Sequence, residues 1–99
     1  MTSLPIEIQT ANAQDVEITD EALIVELEDG RTISVPLAWY PRLLHAQKSE
    51  RDDWRLIGKG EGVHWPQLDE DIKVEQLLLG RPSRESQKSL ERWLKARPE

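Results

Sequence analysis

The stretch EALIVELEDGRTISVPL, residues 21–37, constrains the fold more than any other part of the chain. It places two runs rich in β-branched and aliphatic residues around Asp29-Gly30, the pattern of an antiparallel hairpin. Loop length then decides which side chains share a face. A two-residue loop sets Leu23, Val25 and Leu27 opposite Pro36, Ser34 and Thr32 and wastes the apolar alternation. A three-residue loop, Glu28-Asp29-Gly30, pairs Val25 with Ile33 and Leu23 with Val35. It also puts Gly30 where a type I turn followed by a bulge needs positive φ. A slip of one residue would turn the apolar set to solvent, so the odd loop is expected. Ile24 falls on the polar face, which implies a neighbour over part of it. DVEITDEA, ahead of the hairpin, is expected to add a strand with Val16 and Ile18 inward.

The rest of the chain punctuates into short elements. In WYPRLLHAQ, Pro41 suits a first helical position, and Leu43, Leu44 and Ala46 give a small apolar patch. Ser49, followed by acids, is expected to open a second short helix. WRLIG reads as a strand, KGEG as a turn and VHW as a returning strand. In DEDIKVEQLLLGRP a helical turn or two should carry Val74, Leu77 and Leu78, with Gly80 and Pro82 ending it. SRESQKSLERWLKAR reads as a final helix with Leu90, Trp93 and Leu94 on one narrow stripe. The expected fold class is α+β: a small antiparallel sheet, the hairpin plus further strands, with short helices on one face and a C-terminal helix. Residues 1–80 read as one compact domain and residues 81–99 as a basic helical tail.

A chain of 99 residues has a thin core, and this one lacks Phe. Bulk falls to Trp39, Trp54, Trp65, Trp93 and Tyr40, each able to bury about 150–250 Å² and contribute roughly 4–6 kcal/mol before ordering costs. The absence of cysteine excludes disulfides, thiolate metal sites and cysteine nucleophiles. The longest aliphatic run, ALIV, is far too short to span a bilayer, and MTSLPIEIQT lacks the basic start and apolar stretch of a signal peptide. A soluble cytoplasmic protein is the expectation. Charge divides sharply: residues 1–80 hold 7 Lys/Arg against 16 Asp/Glu, residues 81–99 hold 6 against 3, and the whole carries −6. An acidic body repels nucleic acid, so only the tail can attract phosphate.

Four features, Asp29-Gly30-Arg31, Val35-Pro36-Leu37 leading to Trp39-Tyr40-Pro41, Gly60-Glu61-Gly62, and Trp65-Pro66 opening WPQLDEDI, make the chain resemble the bacterial domain-of-unknown-function family 2442. The resemblance spans roughly residues 14–80. It implies a compact α+β fold on an antiparallel sheet and no assigned reaction. It also implies a gene neighbour encoding another small protein, in an arrangement like a toxin–antitoxin pair. Some relatives add a helix-turn-helix domain, for which residues 81–99 are too few.

GKGEG has the wrong glycine spacing for a dinucleotide fingerprint and lies between strands, which favours a turn. His64, Asp69, Glu70 and Asp71 offer one nitrogen and match no zinc or calcium loop, so capping of the following helix is the expected role of the acids. His45 and Ser49 lack a third partner. No catalytic residue, metal ligand or cofactor is expected. The leading expectation is a non-catalytic protein-interaction module, antitoxin-like or accessory, whose partner is another small protein or a second copy. Tyr40, taken as accessible, and Leu90, Trp93 and Leu94 are its candidate contacts. The stripe docks on its own domain, joins a second copy or holds a foreign partner. The alternative is a nucleic-acid-associated regulator using Arg81, Arg84, Lys88, Arg92, Lys95 and Arg97.

Overall fold

The computed structural model describes residues 10–97. The hairpin forms as the alternation requires. β1 (Ala13–Ile18), β2 (Ala22–Leu27) and β3 (Thr32–Pro36) make one antiparallel sheet in that order. Leu23 faces Val35 and Val25 faces Ile33, the register of the three-residue loop. Gly30 sits at φ +94 and donates its N–H to Leu27 O at 3.1 Å. β1 pairs with β2, Val16 against Val25 and Ile18 against Leu23, after a bulge between Ala13 and Asp15. That extra residue lets both Ala13 and Val16 face inward. Ala13 is fully buried, and Val16 and Ile18 are half-buried against the core.

A second sheet follows rather than an extension of the first. β4 (Arg55–Ile57), β5 (Gly62–Trp65) and β6 (Glu70–Lys73) form an antiparallel three-stranded unit. The β4–β5 turn is Gly58-Lys59-Gly60-Glu61, one residue ahead of the expected KGEG, and it also holds the two sheets together. Gly60, at φ +115, accepts a 2.7 Å hydrogen bond from Ala13 N. A Cβ there would press on the Ala13 carbonyl oxygen and lie 2.9 Å from Asn12 Cβ. Only glycine allows so close a backbone approach.

Short helices close the core. A 3-10 turn at Leu37–Trp39 leads into α1 (Pro41–Leu44), which has Pro41 in its first turn. α2 (Lys48–Arg51) is capped by Gln47, two residues ahead of the expected Ser49: the Gln47 N–H donates to Glu50 Oε1 at 2.8 Å, closing the helix start from Gln47. The acids after Trp65-Pro66 do not cap a helix. Asp69 turns the chain at φ +50, Glu70 and Asp71 lie in β6, and Lys73 stands before α3 (Val74–Leu78). The strand wins because β5 is there to pair with it: Val63 meets Ile72 and His64 meets Asp71.

Tyr40, expected at the surface, has no exposed area. Its ring fills the core and its hydroxyl donates to Arg81 O at 2.8 Å, satisfying the one polar atom a buried tyrosine carries. The ring is therefore not available to a partner. Trp65 is equally buried, with its Nε1–H donating to Arg51 O at 3.1 Å. The C-terminal helix, α4 (Gln87–Ala96), opens at Ser86, whose Oγ accepts from Ser89 N at 3.1 Å. The preceding segment has no regular structure and is tied back by Ser83 N to Trp39 O at 2.9 Å. Among the described residues no helix is long and apolar enough to cross a membrane.

Candidate functional site

α4 docks on its own domain. Leu90 is buried, and Trp93 and Leu94 are half-buried. The Trp93 ring packs against the core and meets two guanidinium groups, with Arg42 Cζ 5.2 Å and Arg97 Cζ 4.4 Å from its centroid. Both arginines are themselves held. Arg97 pairs with Glu50 at 2.5 Å, and Arg42 pairs with Glu85 at 2.6 Å. Stacking under a guanidinium whose charge is already paired costs the arginine no solvation it still needed. The hydrogen bonds from Arg97 and Arg42 hold the Glu50 and Glu85 carboxyls below the usual glutamate range. The apolar stripe is thus largely taken up within the chain.

The opposite face of α4 is basic. At 100° per residue, Lys88, Arg92 and Lys95 project together, away from Leu90, Trp93 and Leu94. All three are exposed, as are Arg81 and Arg84. Among the described residues none of Arg84, Lys88, Arg92 and Lys95 has an ion-pair partner. Arg97 differs from the other tail cations because Glu50 and Trp93 occupy it.

The outer face of the first sheet is open and acidic. Strand alternation puts Asp15 and Glu17 of β1 and Ile24 and Glu26 of β2 on that face. Asp15 stands opposite Glu26, and Glu17 opposite Ile24. Like charges set directly across a ladder destabilise it, so this face gains from any cation laid on it. Ile24, half-buried, supplies an apolar centre between the carboxylates. Ile24 is legible in the alternation as the large aliphatic residue on the polar face of β2, but the Asp15–Glu26 pairing depends on a bulge no pattern shows.

The acids of β6 separate by strand alternation. Asp71 meets His64 across the ladder, Oδ1 to Nδ1, while Glu70 lies opposite Trp65. Among the described residues no three His, Asp or Glu side chains are grouped to hold a metal ion. His45 and Ser49 are exposed on the α1–α2 corner. Glu70 is the perturbed group: burial pushes its carboxyl up to about 7, against the pull of Arg42, with Glu85, Asp71 and Asp69 adding repulsion. Arg42 gives it no relief by hydrogen bonding. Its Nε and Nη2 serve Glu85 and its Nη1 donates to Leu68 O at 2.8 Å.

A family model described as a protein of unknown function, DUF2442, matches residues 13–83. A protein of unknown function from Rhodospirillum rubrum superposes with a TM-score of 0.64 at 24% identity, covering 83% of this chain and 99% of that one. An uncharacterized protein from Chromobacterium violaceum gives 0.62 at 20% identity, over 87% of this chain and 79% of that one. At these identities the likeness is one of fold. No curated protein matches the chain.

Proposed function

The chain belongs to the DUF2442 family, and from that membership and its open sheet face we propose that it is a non-catalytic protein-interaction module, an antitoxin-like or accessory partner of a small basic protein. The observation that carries the reading is the outer face of β1–β2, where Asp15, Glu17 and Glu26 surround Ile24. Complementary charge sets the encounter rate and the choice of partner, and the apolar centre adds area that excludes water. The docked α4 leaves the sheet face, rather than Leu90, Trp93 and Leu94, as the surface offered. Co-expression with the product of the adjacent gene, followed by purification on one tag, tests it. Capture is expected from the unaltered chain and lost from the Glu17→Lys, Glu26→Lys double variant. Repeated failure to co-purify, or capture untouched by both charge reversals, refutes it.

A second reading, a nucleic-acid-associated regulator, rests on the exposed, unpaired face of Lys88, Arg92 and Lys95. Phosphate contacts make such binding fall steeply with salt. A gel-shift titration at two salt concentrations decides it, and no shift even at low salt removes it.

A further inference from the structure

Glu70 stands where two openings in the surface meet. One, of about 280 Å³, is lined by Arg42, Asp69, Glu70, Ser83, Glu85 and Ser89. The other, of about 440 Å³, shares Glu70 and Ser83 and runs past Lys73, Gln76, Arg81 and Arg84. Both lie along the seam between β6 and the segment leading into α4, and Glu85 and Ser89 fall beyond the family match.

The smaller opening has an excess of negative charge. Three carboxyl groups face one guanidinium, and the polar hydrogens of Arg42 are directed at Glu85 and the Leu68 carbonyl. Ser89 Oγ also donates to Glu85, at 2.8 Å. Asp71, next along β6, is bonded to His64. Among the described residues the Glu70 side chain alone on β6 is half-buried, charged when ionised, and without a hydrogen bond or ion pair. A half-desolvated carboxyl without a donor is costly to ionise, and a ligand bringing N–H donors and positive charge removes that cost. In the larger opening Lys73, Arg81 and Arg84 offset Asp71 and Glu75, so it suits the uncharged remainder of a ligand. A concave site with a few convergent polar groups and one perturbed acid is the ordinary form of a recognition pocket.

We propose that this cleft is a recognition site for a guanidinium or primary ammonium group, with Glu70 as the carboxylate that receives it. Such a group comes either from an arginine or lysine side chain of a protein partner or from a free small cation. The site is separate from the β1–β2 face, and none of its residues lies on the first sheet.

Ligand entry displaces a proton from Glu70, so affinity follows its ionisation. The charged and titratable groups facing it are Asp69 and Asp71 on its own segment, Arg42 from α1, Glu85 ahead of α4, and the Tyr40 hydroxyl. Calorimetric titration with N-acetyl-arginine amide and with a Gly/Ser heptapeptide bearing one arginine tests the proposal, their citrulline counterparts serving as neutral isosteres. The arginine probes bind and the citrulline probes do not. Binding weakens roughly 30-fold from about pH 8.5 to about pH 5.5 for a carboxyl titrating near neutrality. Glu70→Gln, which keeps the shape of the protonated acid, weakens it at least about tenfold and removes the pH slope. A peptide that binds more tightly than the amide assigns the cation to a protein partner, and equal binding assigns it to a free small molecule. Glu70→Gln binding as well as the unaltered chain, or citrulline binding as well as arginine, overturns the proposal.

Discussion

Replacing Gly60 by alanine tests how the two sheets are joined. The backbone there is at φ +115, a conformation that costs a residue with a Cβ about 1–3 kcal/mol. The added methyl also meets the Ala13 carbonyl oxygen and Asn12 Cβ, both on the chain leading into β1. Neither is the free end of a flexible side chain, so β1 must shift, and forced repacking of this kind costs a further 1–3 kcal/mol or so. The shift weakens the 2.7 Å bond from Ala13 N to Gly60 O, of order 1 kcal/mol. Together these reach roughly 3–7 kcal/mol, a large share of the ~5–15 kcal/mol that holds a small domain. Gly30→Ala is the matched control, because Gly30 has φ +94 and nothing within 4 Å of the added atom. It should lose only the backbone part, about 1–3 kcal/mol. Urea unfolding followed by tryptophan fluorescence measures both. If Gly60→Ala is no worse than Gly30→Ala, the close approach of the sheets is not what requires glycine.

Trp93→Ala should cost about 2–3 kcal/mol, from lost apolar burial and two cation–π contacts, in the same unfolding assay; an unchanged midpoint would contradict the docking of α4. Glu85→Gln should narrow the stability difference between neutral and acidic pH. The folded carboxyl titrates below its ordinary value of 4.5, so its contribution is complete above that value and is lost as pH falls through the lower folded one. Glu70 carries the opposite sign. Its folded carboxyl titrates at about 7 against 4.5 unfolded, so the folded state holds the proton longer and stability falls as pH rises between those values. Glu70→Gln should therefore be more stable than the unaltered chain above pH 7, and melts in which it is less stable there would refute the burial of that carboxyl.

What could be read from the sequence follows from range. The β2–β3 register is local: one turn and one alternation decide it, and Leu23–Val35 and Val25–Ile33 meet as the loop length requires. The Leu90, Trp93 and Leu94 stripe is also local, and α4 carries it on one face. β6 was hidden because a four-residue strand with one buried aliphatic, Ile72, offers too few positions to show a period of two. Its acids then read as helix caps. Tyr40 looked accessible because its partner, the Arg81 carbonyl, is 41 residues away. Glu70 is perturbed by burial, and by Arg42 and Glu85, neighbours that only the folded chain supplies. Pairings across such distances leave no spacing signal.

The claim on which the functional account rests is that the β1–β2 face meets a partner. Hydrogen–deuterium exchange on the complex with the adjacent gene product, compared with the free chain, tests this most directly. Slowed exchange along β1 and β2, from Asp15 to Glu26, with α4 unchanged, is the result the account expects. Protection confined to Lys88, Arg92 and Lys95, with β1 and β2 exchanging as in the free chain, would contradict it.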